Sequence, residues 1–360
     1  MKIKKLELKD FMLFHEFDEE WSENINIIGG SNSTGKTALL KLMYSLLSAY
    51  WATDTQKDTK DETEKRFVDK LTHVFRPENM KIGRLARRKQ GTSRAEGKLS
   101  FSESDVISFG FGSGASTHME CELPKGGNTP SPDKSAVYFP PKEIISSTEN
   151  FRALYEDMHI AFEETYNDLA RLLARPLKKG KNTDEQNAVL HELGDIMDGT
   201  ISQRDNKFYL SVSGKGEFEM GLVSEGYRKL ATIAYLIQNG SLNSNSVLFW
   251  DEPETNMNPK MIEPLVRMVM QLAKLGVQVF ITTHDYFIQQ YFNMYMAYEE
   301  SNPDRIDIRF YSLTKDENGD VQTESASTIS DLEHNSIMEE FDAIYDREQG
   351  MLYERIRKQN

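Results

Sequence analysis

Ile25-Asn26-Ile27-Ile28-Gly29-Gly30-Ser31-Asn32-Ser33-Thr34-Gly35-Lys36-Thr37-Ala38-Leu39-Leu40 is the stretch that decides the fold. A short apolar run ends in glycines, and Leu39, Leu42, Met43 and Leu46 then recur at helical spacing, which predicts strand, glycine loop and helix. Within it, Gly30-x-x-x-x-Gly35-Lys36-Thr37 has the spacing of a phosphate-binding loop. Glycine is needed where backbone must pass close to a ligand, and the backbone N–H groups of Asn32, Ser33 and Thr34 can surround phosphate oxygens. Lys36 can reach terminal phosphates, and the Thr37 hydroxyl is a ligand for Mg²⁺. The bare pattern arises by chance in roughly one chain in a hundred of this length; its placement between a strand and a helix makes chance a poor account of it.

Upstream, short alternating runs at Ile3 to Leu8 and Met12 to Phe17 predict two further strands. Downstream, residues 52–98 are polar, with a helix expected from about 62 to 75, and read as an insertion without a core of its own. Alternation resumes over 97–122, residues 126–132 read as an exposed loop, and Ala136–Phe139 reads as a buried strand. Phe151, Leu154, Tyr155, Met158, Phe162, Tyr166, Leu169, Leu172 and Leu173 recur every three or four residues, which predicts one long amphipathic helix. With a second near 184–198 it would form a helical arm over 147–198, the alternative being that the stripe is ordinary core packing. Beyond 200 the expected order is strands, helix 225–238, strand 246–251, helix 260–274, strand 277–282, helix 285–295 and strand 307–313. Such alternation means a parallel sheet covered by helices. A last helix, roughly 335–357, lies in a terminal segment 331–360, and residues 1–330 read as one domain.

Three further motifs carry chemistry. Val247-Leu248-Phe249-Trp250-Asp251-Glu252-Pro253 is a buried strand ending in two acids, where Asp251 can hold magnesium and Glu252 can deprotonate an attacking water. Val279-Phe280-Ile281-Thr282-Thr283-His284 is another, ending in a histidine able to donate to a γ-phosphate. Ser224-Glu225-Gly226-Tyr227 opens a helix whose positive end, with Ser224 and Gly226, can grip the phosphate of a nucleotide held by a second copy.

These elements, in this order, resemble the ABC-type ATPase superfamily, in its soluble branch of RecF-like, SMC-like and OLD-like proteins. The resemblance covers about residues 1–50, 97–150 and 198–315. It implies an α/β ATPase head, a P-loop parallel sheet plus an antiparallel β lobe, with helical insertions. Gly30–Thr37 corresponds to Walker A, Asp251 and Glu252 to Walker B, Ser224–Tyr227 to the signature, and His284 to the switch histidine. Glu252–Pro259 is similar to the loop after Walker B in OLD-like and bacterial defence ATPases. Phe139-Pro140-Pro141-Lys142-Glu143 stands where the family has its Q-loop, without the glutamine, which makes Glu143 the candidate for a further metal ligand. The signature departs too, with Glu225 where relatives carry glycine, and a carboxylate there is expected to face away from phosphate.

The resemblance further implies ATP with Mg²⁺ as ligands and a homodimer with two composite sites, a larger assembly being left open. It also implies a separate effector, probably a nuclease by analogy with PARIS, Septu and some retron systems, since 360 residues leave no room for a nuclease domain. The alternative is a RecF-like repair ATPase that binds duplex DNA.

Composition bounds these readings. Of 360 residues, 38% are apolar and 28% charged, enough for a real core. Lys plus Arg is 43 against 57 Asp plus Glu, a net charge of −14, which argues against nucleic acid coating the whole surface. A local DNA groove is still allowed, because Lys81, Arg84, Arg87, Arg88, Lys89, Arg94 and Lys98 stand against Glu96 alone. A single Cys121, no export signal and no membrane-length apolar run make the cytoplasm the expected compartment, while the divergent signature, the long arm and the absent Q-loop glutamine argue against the nucleotide-binding subunit of a membrane transporter.

Overall fold

The computed structural model describes residues 1–149, 151–158 and 161–359. Its centre is a six-stranded sheet in the order β14-β13-β3-β12-β11-β7, assembled from strands far apart in sequence. Strand β3 (Ile25–Gly30) lies between β12 (Gln278–Thr282) and β13 (Ile308–Lys315), and β11 (Ser246–Asp251) lies between β12 and β7 (Ser135–Phe139). All these pairings are parallel. Strand β14 (Val321–Ala326) adds an antiparallel edge; its Gln-Thr-Glu-Ser run has no apolar alternation, so sequence reasoning missed it.

The central strands are apolar throughout because both faces are covered. Alternation sends Leu248 and Trp250 of β11, with Val279 and Ile281 of β12, into one core. Val247, Phe249 and Phe280 go into the other. The second core is closed by α1 (Lys36–Ala52), α2 (Lys60–Phe75) and an antiparallel sheet in the order β2-β1-β4-β5-β6. That sheet comprises β1 (Lys5–Phe11), β2 (Phe14–Glu20), β4 (Arg94–Ser100), β5 (Val106–Gly112) and β6 (Glu120–Glu122).

The polar insertion therefore divides. Its helix α2 buries Phe67, Val68, Leu71 and Val74 in the shared core, and its end, β4, pairs with β1 and β5. The 126–132 loop is not fully exposed either: Asn128 is buried, and its amide donates to the carbonyls of Tyr50, Trp51 and Thr53 at the end of α1.

On the first core lie α3 (Phe151–Met158), α4 (Glu164–Leu173), α5 (Asp184–Met197), α6 (Glu225–Gln238), α7 (Ile262–Lys274) and α8 (Tyr286–Ala297). A small sheet of β8 (Gly199–Arg204), β9 (Lys207–Val212) and β10 (Gly216–Glu219) joins them. The predicted long helix over 151–173 is two helices, with no helix at 161–163; the Met158 side chain lies outside the described residues. Nor is there a free arm. Leu169, Leu173, Val189, Leu193 and Met197 pack in the same core as the parallel sheet, and Tyr44 of α1 donates to Asp168 of α4 at 2.6 Å. The last element, α9, spans Ser336–Gln359. Among the described residues no helix is long and apolar enough to cross a membrane.

Candidate functional site

Parallel register brings the chemistry together. Asp251 pairs with Thr282 and Thr282 with Ile28, so the carboxyl ends of β11, β12 and β3 lie side by side. The glycine loop, the acidic pair and the histidine all leave the sheet along this edge, where an α/β fold places its ligand.

Backbone geometry explains the loop's glycines. Gly30 has φ 139°, and a Cβ there would collide with the Leu313 carbonyl. Gly35 has φ 97°, and a Cβ would lie 2.6 Å from the Phe14 ring. Ser31, Asn32 and Ser33 form the exposed crest, Ser33 also left-handed at φ 62°, while buried Thr34 donates to the Ser31 carbonyl at 2.9 Å. Gly35 is the N-cap of α1 and has no side-chain acceptor to offer, so the first N–H groups of that helix are left for an anion. Lys36 Nζ donates to the carbonyls of Gly30 (2.7 Å) and Ser31 (2.9 Å). Desolvation lowers its pKa to about 8, opposed by the nearby Glu252, Asp251 and Glu254.

Asp251 accepts from Thr37 Oγ1 (3.0 Å), Thr282 Oγ1 (2.6 Å) and the Tyr138 hydroxyl (3.1 Å). Burial raises its pKa against those hydrogen bonds. Thr37 and Asp251 thus present hard oxygens side by side, which suits Mg²⁺, an ion that takes one or two protein ligands and completes its shell with phosphate and water. Among the described residues no three His, Cys, Asp or Glu side chains converge on a cation site.

Glu252 lies at φ 48°, a left-handed conformation rare outside glycine. Its N–H donates to the Thr282 carbonyl at 3.1 Å, so the chain turns sharply and lifts the side chain off the strand. Glu252 Oε1 and His284 Nε2 are 2.8 Å apart. His284 is itself held by Glu254, a residue sequence reasoning passed over: its Oε1 accepts from the His284 N–H and the Thr283 hydroxyl, both at 2.8 Å. Glu254 Oε2 is buried without a partner, and burial pushes the carboxyl up to about 7. A carboxylate two residues after Glu252 was the available signal, but nothing in the sequence indicated that it turned inward.

Glu143 is placed differently from its expected role. Its carboxylate takes Arg228 at 2.7 Å and the Ser146 hydroxyl at 2.6 Å. Neither Thr37 nor Asp251 bonds to it, so it is tied to the signature helix α6 instead. The next residue, Lys229, is buried and donates to the carbonyls of Pro253 and Thr255. Ser224 is exposed and makes no cap bond, and Glu225 is turned aside to accept from Asn256 at 3.1 Å. At Gly226 a Cβ would meet only Met257, at 3.5 Å, so nothing within this chain demands glycine there. The signature residues are not brought to the same chain's glycine loop.

This architecture is known elsewhere. Over 92% of this chain and 99% of the other, it superposes with TM-score 0.54 on an SMC head solved in complex with the C-terminal winged-helix domain of ScpA, at 12% identity. A Pyrococcus furiosus SMC head with an extended coiled coil, bound to the C-terminal domain of ScpA, gives TM-score 0.50 at 12% identity, covering 97% and 99% of the two chains. The fold is that of an SMC-type ATPase head. Residues 128–288 match the family model described as "AAA domain, putative AbiEii toxin, Type IV TA system". That stretch contains the signature, the acidic pair and His284, and begins after the glycine loop. No curated protein matches the chain.

Proposed function

We propose that this SMC-head-like chain binds ATP with Mg²⁺ at the edge formed by β3, β11 and β12, and hydrolyses it when two copies close on each other. The observation that carries this is the Glu252–His284 pair at 2.8 Å beside the Thr37–Asp251 pair at 3.0 Å, both at the mouth of the glycine loop. Glu252 takes a proton from water as its oxygen bonds to the γ-phosphorus, the β–γ bridging P–O bond breaks, and ADP and phosphate leave. His284 orients that carboxylate, Lys36 neutralises the phosphates, and Mg²⁺ when bound screens charge on the β- and γ-oxygens. Ser224, Gly226 and the N-terminus of α6 supply the opposing half of the site in the second copy, because within one chain they face no phosphate loop.

The expected variants separate binding from turnover. Lys36→Ala loses ATP binding, whereas Glu252→Gln binds ATP, loses turnover by at least a hundredfold and accumulates as a closed dimer. Equal turnover in wild type and Glu252→Gln would remove Glu252 as the base.

We further propose that closure controls a separate, toxic effector, a nuclease, in anti-phage defence. Support comes from the matched family's description, which names a toxin of a toxin–antitoxin system, and from SMC heads of this fold that carry a bound second protein. Affinity purification of tagged Glu252→Gln protein from its native host is the test. A stoichiometric nuclease supports effector control; DNA and recombination proteins alone support the RecF-like alternative.

A further inference from the structure

Helix α9 is 24 residues long, about 36 Å, and only its start is tied down. Asn335 donates to Gln289 at 2.8 Å, and the Phe341 ring stacks on Tyr286 with centroids 4.4 Å apart. Beyond that the helix carries Ile344, Tyr345, Met351, Leu352 and Ile356, each 48–65% exposed. At 100° per residue these side chains fall on one face. Phe341, Glu348 and Arg355 follow each other at seven-residue intervals down its middle, with Ile344 and Met351 on one side and Tyr345 and Leu352 on the other.

Two opposite charges therefore stand in the centre of an apolar stripe. They are seven residues apart, about 10.5 Å along the axis and too far to pair within the helix. Among the described residues neither has an ion-pair partner. A partner helix covering the stripe must answer both. A parallel, in-register copy would set Glu348 against Glu348 and Arg355 against Arg355. An antiparallel copy, with its two-fold axis between residues 351 and 352, sets Glu348 against Arg355 twice and brings Met351 and Leu352 together at the centre. The flanks agree: Ser336–Asp346 carries four acids and no base, while Arg347–Gln359 carries four bases and two acids.

We propose that the α9 face is a self-association surface, on which a second copy of this chain packs antiparallel, with Glu348 of each copy paired to Arg355 of the other. This pairing needs no nucleotide and is distinct from the ATP-dependent closure proposed above, so the two readings stand or fall separately.

The test is sedimentation equilibrium of the full chain carrying Lys36→Ala, without nucleotide, which removes ATP-driven closure. A dimer is expected. Glu348→Arg or Arg355→Glu, each placing like charges face to face, should weaken it at least tenfold. The double variant should recover it, since it restores opposite charges in the antiparallel register only; an equimolar mixture of the two single variants should recover it as well, because every contact between unlike copies then joins opposite charges. Unchanged secondary structure by circular dichroism, expected for substitutions on an exposed face, verifies that the single variants are folded. A monomer at 50 µM as about the highest concentration examined, a dimer indifferent to the single changes, or a double variant no better than the singles would each overturn the proposal. So would a monomer that instead co-pellets with phosphatidylglycerol vesicles, which would make the stripe a membrane-binding face.

Discussion

Glu254 shows how one buried carboxyl organises the sheet edge that carries Glu252 and His284. Its two accepted hydrogen bonds fix the backbone at His284, and so the ring that meets Glu252. The remaining oxygen is buried without a hydrogen-bond partner, so the charged form is disfavoured and the pKa rises from 4.5 to about 7. The folded state then holds this proton more tightly than the unfolded chain does. Its contribution is neutral below pH about 4.5, and stability falls as pH rises from there to about 7, by on the order of 3 kcal/mol if no other group compensates. Glu254→Gln keeps an acceptor for both donors and cannot ionise. Urea midpoints at pH 5 and pH 8 should therefore differ less for Glu254→Gln than for the wild type, and an equal difference would remove Glu254 as the source. Glu252 and His284 themselves were legible, because a buried apolar strand ending in acids or histidine is a local pattern. Glu254 was not, because its inward turn depends on where Thr283 lies.

At the scale of elements, strands and helices of the parallel sheet were read nearly to their ends, since each has a strong apolar period of its own. The errors share a cause. A polar segment was taken for an insertion, yet β4 buries Ala95, Gly97 and Leu99 against its neighbours and exposes only alternate residues. The stripe on 147–198 reads equally as an arm or as core packing, and it meets the core of the sheet. Asn128 belongs here too. Its amide closes three carbonyls at the end of α1, the helix that begins at the phosphate loop, from a loop that looked merely exposed. Asn128→Ala would take this donor from the carbonyls of Trp51 and Thr53 in a buried place, the Tyr50 carbonyl keeping the Thr53 N–H, and should lower unfolding free energy by about 2–3 kcal/mol in chemical denaturation. A loss under about 0.5 kcal/mol would mean that water replaces the amide freely.

At the scale of the whole molecule the question is where charge goes. The basic run from Lys81 to Lys98 reads as a solvated loop or as a groove for DNA, and the fold divides it and pairs four of its seven bases. Arg87 pairs with Asp320, Arg84 with Glu78, Lys89 with Asp10 at 2.6 Å, and Arg94 with Glu96 and Glu120 at 2.9 and 2.6 Å. Strand alternation also sets Arg94 and Lys98 on the outer face of the antiparallel sheet, apart from the segment before it. On a molecule of charge −14, what is left should not hold duplex DNA. Fluorescence anisotropy with a labelled duplex at 50 mM salt is expected to show no binding tighter than about 100 µM, the weak end of ordinary non-specific affinity. Salt-sensitive binding lost with Arg88→Glu, at a residue without an ion-pair partner among the described residues, would contradict this and revive the RecF-like reading.

Sequence by itself determined the phosphate loop, the acidic strand end, the histidine after its neighbour and the parallel sheet that carries them, because each is written in consecutive residues whose spacing matches one strand or one helical turn. Tertiary structure alone decided that Glu143 serves Arg228, that Glu254 holds His284, that Asn128 closes α1 and that four bases of the basic run are paired. For Glu143, Glu254 and Asn128 the deciding partner lies far along the chain, and which polar groups share a buried place follows from packing, to which local periodicity is blind.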